Sequence, residues 1–500
     1  MIDTCISGID VWAGTSKIGQ HLPAGRHRLP APAGQTTLIV KKGARTLYRY
    51  NGLLSADRVF PVQIKSTPPI STPREPFSKV TIANHSVENY SNSIAYDLDG
   101  DGREEIVTAS GNRLYAYRLD GTNVWERKFN FPISLNLIED WDSQPAIGLS
   151  GMDDDKIHFL LLNQRGEQIW QQVRKLTRFH HGKPDGGGKI AGLADIDSDG
   201  REEVVTFASA EYTLKPRGII VYDRQAHEIW RYLIGPAPQS IFIWQKDAGR
   251  PDIIIGTYSP ANGNRELDNN TSDMQTYIIS VDGFGKTNWQ IPVGEFYTGV
   301  VVLPADQKTP GSRFFYAHTY TSSLYREDVG AIYKISRSGQ ILNRFDSQNS
   351  ILSVAVAESD QGGRKYLYAA DNRGNLLKLD DSLNLLQKRS SPAGPASSQI
   401  RLVGVHDYDG DGRKDLLMYS FNRLLRDKNP LAETSPNDTG FLSNLKFEVV
   451  SQDFSRILKS VTIADEWEKR GGFAVKDLDR PETAYYPFMA LGDKITVFNN

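Results

Sequence analysis

Three acidic loops recur in the chain. They are Asp97-Leu98-Asp99-Gly100-Asp101-Gly102-Arg103-Glu104-Glu105, Asp195-Ile196-Asp197-Ser198-Asp199-Gly200-Arg201-Glu202-Glu203 and Asp407-Tyr408-Asp409-Gly410-Asp411-Gly412-Arg413-Lys414-Asp415. Each puts carboxylates at positions 1, 3, 5 and 9 and glycine at position 6. Ca²⁺ takes six to eight oxygen ligands, and alternating Asp in a tight loop supplies most of them. Glycine permits the sharp turn that offers the position-7 carbonyl, here that of Arg103, Arg201 or Arg413. Four carboxylates in one loop repel each other unless a cation sits among them. The expected ligands are therefore Asp97, Asp99, Asp101 and Glu105; Asp195, Asp197, Asp199 and Glu203; and Asp407, Asp409, Asp411 and Asp415, for about three structural Ca²⁺.

What surrounds the loops excludes an EF-hand, which needs Glu at position 12 and then a helix. Position 12 is Thr108, Thr206 or Met418. Ile106-Val107, Val204-Val205 and Leu416-Leu417 follow position 9 and read as buried strands. The unit is strand, acidic loop, strand. Asp97 and Asp195 are 98 residues apart, and Asp195 and Asp407 are 212 apart. Those gaps fit two and four units of about 50 residues, a period that signals propellers or solenoids.

The intervening units share a pattern: an aromatic-bearing strand, a glycine turn, then a strand carrying Trp. Arg113–Tyr117, Asp120-Gly121 and Trp125 form the clearest copy. Trp170, Trp230 and Trp289 mark others, with Leu342 and Leu385-Leu386 in the same role further on. Eight units begin near Ile94, Leu135, Ile190, Ile241, Val300, Leu352, Leu402 and Phe473. Asp140-Trp141-Asp142 and Asp477-Leu478-Asp479 read as loop remnants. The eighth unit lacks a fourth strand, and the unassigned run Phe77–Ala83 can supply it, closing the ring and removing exposed edges. The expected fold is all-β: an eight-bladed β-propeller, with seven blades as the alternative, preceded by a small β module.

The run Tyr96–Val107 resembles the FG-GAP/VCBS-type repeat of integrin-like calcium-binding β-propellers, over residues ~75–500. The resemblance implies a Ca²⁺ loop between the first and second strands of a blade, and a domain that binds partners. The Trp-bearing fourth strands also resemble the pyrroloquinoline-quinone-type propeller repeat, a likeness read as packing. Residues 1–63 are similar to the PEGA module, and 64–76 read as a stiff Pro-rich linker leading to the propeller at 77–500.

Composition fits this architecture. Gly 43, Tyr 22 and Phe 20 suit strands and turns, and Glu466–Lys469 is at most a short turn. Three bound Ca²⁺ would move the formal charge from −2 to about +4. Nothing there draws nucleic acid or a membrane surface. A lone cysteine, Cys5, excludes an intrachain disulfide. Residues 1–25 contain no apolar leader core, and no segment reaches the length of a membrane span. Such loops bind Ca²⁺ at roughly 10⁻⁴–10⁻³ M in extracellular modules. The expectation is thus an extracytoplasmic or cell-surface chain, with two alternatives: it is the outer part of a larger membrane-anchored protein, or its true start differs from Met1.

Catalytic signals are sparse. His180-His181 before Gly186-Gly187-Gly188 could bind a transition metal, but no acidic partner is fixed by spacing. The expected activity is therefore recognition of a protein, peptide or glycan, without catalysis. Similar repeats occur in rhamnogalacturonan lyases, which gives a polysaccharide-cleaving propeller as the alternative. The expected contact surface is the face opposite the acidic loops. It carries Tyr258, Arg265, Tyr320, Tyr325, Arg326, Phe421, Arg423 and Arg426 on or beside long loops.

Overall fold

The computed structural model describes residues 2–4, 9–13, 16–22, 25–27, 34–42, 45–54, 62–64, 78–84, 90–176, 186–210, 215–246, 249–262, 267–305, 313–321, 329–358, 365–390, 398–406, 408, 414–424, 441–468, 473–476, 488–491 and 494–499. The chain divides into two compact units: Met1–Thr72 with Phe454–Arg456, and Pro73–Asp453 with Ile457–Asn500. Every regular element among the described residues is a strand. The first unit holds a four-stranded antiparallel sheet in the order Ser16–Leu22, Ile9–Ala13, Gly34–Lys42, Arg45–Leu54. A second sheet places Ile2–Thr4 between Gly25–His27 and Val62–Ile64.

The second unit is an eight-bladed β-propeller. Each blade is an antiparallel four-stranded sheet, and the first strand of each blade contacts the first or second strand of its neighbour around the ring. These inner strands are Tyr90–Tyr96, Ile133–Trp141, Gly187–Ala194, Ala237–Trp244, Thr298–Pro304, Ile351–Glu358, Ser398–His406 and Phe473–Lys476. Blade 8 is closed by a strand from the front of the unit: Ser78–Asn84 pairs antiparallel with Lys494–Asn499. The register joins Val80 to Val497 and Lys79 to Phe498. Blades 4 and 5 are continuous at one point, where Tyr258 pairs with Gly299. One expectation fails here. Glu466-Trp467-Glu468 belongs to the strand Ile457–Glu468, paired to Phe441–Ser451, and is no turn.

The core lies between blades, in layers. Middle strands such as Glu203–Ser209 and Lys156–Asn163 are buried almost throughout, because both faces of each sheet meet a neighbour. One layer joins Val107 and Leu114 of blade 1 to Ile147 and Leu160 of blade 2. The next joins Phe159 and Trp170 to Val204 and Ile220. In blades 1 to 7 the pairing of the third and fourth strands slips by one residue just before the connecting turn. Such a bulge adds local twist and re-aims the next side chain.

That re-aimed position is the tryptophan. Each indole Nε1–H donates to a turn carbonyl of the following blade: Trp125 to Gln164, Trp170 to Asp223, Trp230 to Gly283 and Trp289 to Arg337, at 2.9–3.2 Å. The ring lies against the turn's positive-φ residue. A Cβ on Gly339 (φ +82°) would stand 2.6 Å from the Trp289 ring, so only glycine fits. Leu342, Leu385 and Leu386 do not fill this position; they face solvent. By register it falls to Asn343 and Gln387, and Gln387 donates to the Asp453 carbonyl as the indoles do. At the inner rim, side chains of one blade cap free N–H groups of the next. Asn136 accepts from Ile190, Glu139 from Leu193, Ser240 from Val302 and Ser353 from Leu402, each at 2.9 Å.

Two outcomes follow. Removing residues 1–65 should leave the propeller's melting transition in place, whereas removing 1–84 takes away the closing strand and should lower it sharply. Equal melting of the two truncations in a calorimeter would place ring closure elsewhere. The second concerns His318, which is buried and donates from Nδ1 to the Ile351 carbonyl at 3.0 Å. Burial pushes its pKa from 6.5 down to about 4. A depressed folded-state pKa means stability is full above pH 6.5 and is lost as pH falls toward 4. About 3 kcal/mol should disappear over that window, at 1.36 kcal/mol per pH unit. Urea melts of a His318→Gln variant should have lost this part of the pH dependence.

Candidate functional site

The first acidic loop joins Tyr90–Tyr96 to Glu105–Ser110, and the second joins Gly187–Ala194 to Glu203–Ser209. Both loops fold on their own carboxylates. Asp97 accepts from the Gly100 and Gly102 amides at 2.9 Å, and Asp195 from Asp199 and Gly200 at 3.0 Å. Asp99 and Asp197 each accept from the residue two further on, at 3.1 and 3.0 Å. Asp101 and Asp199 do the same for Arg103 and Arg201. Position 6 is left-handed in both, at φ +87° for Gly102 and +86° for Gly200. The result brings one oxygen from each of Asp97, Asp99 and Asp101 within 4.8 Å of the others, and likewise for Asp195, Asp197 and Asp199.

Under each trio sits the position-9 acid. Glu105 is 2% exposed and Glu203 is 3% exposed. One oxygen of each accepts the position-2 amide, Leu98 at 3.0 Å and Ile196 at 2.8 Å. No cation among the described residues pairs with either. Burial first, and then the neighbouring Asp carboxylates, push both upward, Glu203 to about 7. In the third loop only Tyr408, Lys414 and Asp415 are described. Asp415 is 3% exposed and accepts from the Tyr408 amide at 3.3 Å, in the same pattern. Asp407, Asp409, Asp411 and Arg413 lie outside the described residues, as do His180 and His181.

The corresponding connection in blade 4 lacks the acids and is one residue shorter by register, with Trp244 opposite Asp252 where blade 1 has Tyr96 opposite Glu105. Counted back from its second strand, Asp252–Tyr258, the position-9 residue is Asp252 and position 6 is Gly249 at φ +83°. Position 3 is Lys246. Its Nζ sits 2.7 Å from Asp252 Oδ1, and Arg337 Nε lies 3.3 Å from Oδ2. A lysine and an arginine stand beside a carboxylate that is 4% exposed. Blade 2 departs further. Asp140-Trp141-Asp142 is no loop remnant: Asp142 (φ 54°) and Ser143 (φ 60°) form a two-residue hairpin turn. Asp140 accepts from the Tyr96 hydroxyl at 2.9 Å, and Asp142 pairs with Arg224, which also holds Glu202. The expected remnant Asp477–Asp479 lies outside the described residues.

The strand ends away from these loops carry a second group of polar residues. Tyr258 and Tyr320 face Gly299 from either side across adjacent strands. Arg401 on blade 7 joins them, with Tyr419 as its cross-strand partner. Arg265, Tyr325, Arg326 and Arg426 lie outside the described residues, as do the side chains of Phe421 and Arg423. Sequence reasoning missed Lys246, Asp252, Arg337 and Arg401. Only Asp252 had a readable signal, its place nine residues into a loop that ends at an apolar strand.

No family model matches the chain, and no curated protein matches it. Among solved structures it is similar to the propeller of Dos1, with TM-score 0.48 and 10% identity over 85% of this chain and 94% of that one. An exotype rhamnogalacturonan lyase, YesX, gives 0.46 and 11%, covering 99% and 85%. BamB from Moraxella catarrhalis gives 0.42 and 12%, covering 82% and 97%. Among the described residues no helix is long and apolar enough to cross a membrane.

Breaking a buried ion pair leaves the remaining charge uncompensated. Lys246→Ala should therefore destabilise the protein by about 1–3 kcal/mol, Arg337 retaining part of the compensation. Added Ca²⁺ should not restore the loss, because blade 4 has no Asp trio. Recovery by Ca²⁺ in a denaturant melt would refute the assignment of Lys246 as the cation of this blade.

Proposed function

We propose that this chain is a calcium-stabilised, non-enzymatic propeller of FG-GAP/VCBS type, acting as an extracytoplasmic recognition module. The observation that carries this reading is the contrast between blade 4 and blades 1 and 3. All three hold a buried position-9 carboxylate under a left-handed glycine turn. Blade 4 answers that charge with Lys246 and Arg337. Blades 1 and 3 supply three further carboxylates instead, an arrangement that a bound cation would offset. An all-oxygen donor set suits Ca²⁺. Glu105 and Glu203 each have one oxygen free of the backbone to turn toward the ion, with the Arg103 and Arg201 carbonyls as further donors. The third ion is assigned to Asp407, Asp409, Asp411 and Asp415 by the same spacing.

Calcium sites of this loop type suit a chain that works where calcium is abundant, outside the cytoplasm. The ions then tie first strands to second strands. The opposite face, on a rigid closed ring, is left for a protein or peptide partner.

Chelation should lower the melting temperature, because ions that bind only the folded state stabilise it by mass action. At 100-fold over Kd each site contributes about 2.7 kcal/mol. Asp199→Ala should lose one ion by native mass spectrometry and keep the rest. The pH dependence has a definite sign. The Glu203 pKa is raised, so the ion-free protein keeps this contribution below about pH 4.5 and loses it as pH rises through about 7. The gap in melting temperature between calcium and chelator should therefore widen from pH 5 to pH 8. A gap of zero at every pH would overturn the reading.

A further inference from the structure

We propose that Arg401 is the anchor for a carboxylate of the partner, an acidic peptide side chain received between Arg401 and the phenols of Tyr320, Tyr258 and Tyr419. This rests on the recognition reading above and gives that face its chemistry.

Arg401 is half-buried on the first strand of blade 7, opposite Tyr419 in the register. The Tyr419 phenol is within hydrogen-bonding reach of the guanidinium, and Tyr320 and His318 of blade 5 are close enough to feel its charge. Tyr320 is held in place by a missing side chain. Its Cζ lies 2.3 Å from where a Cβ on Gly299 would be, so the ring rests on bare backbone. Tyr258 pairs with that same glycine from the other side and extends the phenol group into blade 4.

Arg401 Nη1 is shut off from solvent and has no hydrogen-bond partner. Among the described residues no carboxylate pairs with this side chain. Burial disfavours its charge, and only tyrosines oppose that effect. Several other buried cations are satisfied by the fold, although Arg389 Nη1 on blade 6 also lacks a hydrogen-bond partner. Lys334 meets Asp381 at 2.7 Å, Arg337 meets Asp252, and Arg217 donates to the Ala210 and Gly235 carbonyls and to Asn262. A guanidinium N–H group held in a low-dielectric site without an acceptor is a cost to the free protein. A planar carboxylate removes that cost, because it accepts two parallel N–H bonds from the guanidinium fork. Phenol hydroxyls can then donate to its remaining lone pairs. Tyrosine and arginine together are also the side chains that most often dominate protein contacts.

The test uses the full chain with Ca²⁺ present throughout. The probes are N-acetyl-Gly-Glu-Gly-amide, its Gln twin, and acetate, read by calorimetric titration and by melting temperature. The Glu peptide should bind and raise the melting temperature, the Gln twin should not, and acetate should bind at least tenfold more weakly. Arg401→Met should lose the Glu peptide while melting at or above the wild-type temperature, because an unsatisfied charge has been removed. Arg401→Lys keeps the charge but not the fork. It should weaken binding at least tenfold, and it stands in should Arg401→Met fail to fold. Binding of the Gln twin as tight as that of the Glu peptide would overturn the carboxylate assignment. Equal binding of acetate would overturn the peptide assignment. A wild type indifferent to all three probes, with Arg401→Met melting several degrees lower, would make Arg401 a structural strut. The chelator response of Arg401→Met reports separately on the calcium reading, which stands or falls without this site.

Discussion

A four-stranded sheet with two apolar faces has no stable existence alone. In this propeller each blade buries both faces against its neighbours, so every interblade layer presupposes the next one around the ring. Closure is the constraint on which the rest depends. It is met by pairing Ser78–Asn84 with Lys494–Asn499, which holds the first and last parts of the unit in one sheet. Hydrogen bonds that cross from blade to blade reinforce this at two radii. Near the centre, side chains such as Asn136 and Ser353 cap open inner-strand N–H groups. At the outer rim, Trp125, Trp170, Trp230 and Trp289 each reach into the following turn. One such bond is worth only about 1 kcal/mol, but the buried indole adds more through its apolar area.

Closure also explains where charge accumulates. In blades 1, 3, 4 and 7 the second strand is buried from its first residue, and that residue is acidic: Glu105, Glu203, Asp252 and Asp415. Its carboxylate has a backbone task in three of the blades, holding the position-2 amide of the preceding loop. That task fixes the loop but leaves a negative charge in a dry place. Lysine and arginine solve the problem in blade 4. Ions solve it, on the reading proposed above, in the blades with Asp trios. Counted back from the second strand, Lys246 takes the loop position that is Asp99 in blade 1 and Asp197 in blade 3, so one blade uses that position for a base and the others for an acid.

The architecture was legible in the sequence because it repeats. All eight inner strands start within a few residues of their expected positions, and the closing strand is shifted by one residue from Phe77–Ala83. Repetition averages out the ambiguity of any single strand. The failures fall where one blade departs from the others. Asp140–Asp142 looks like a degraded loop, yet two residues in left-handed conformation turn the chain there. Leu342 and Leu386 occupy the tryptophan's place in the spacing, but the bulge hands the inward position to Asn343 and Gln387. A one-residue slip reverses every side chain in a strand, and spacing alone does not reveal it. The carboxylates at the loops were legible for a different reason: they are contiguous in sequence.

Arg401 illustrates the opposite case. Its neighbours come from three blades and are separated from it by as many as 143 residues, from Tyr258 to Arg401. No local pattern marks it, and its strand reads as one more inner strand. The two faces therefore differ in how they handle charge. On the loop face each buried acid has a partner in the fold or a cage of oxygens that can hold one. On the other face a buried base is left with tyrosines alone. A rigid ring can tolerate such an unmet charge because blade packing, not that residue, carries its stability. This makes the unmet charge available for recognition, where the partner supplies the group that the fold withholds.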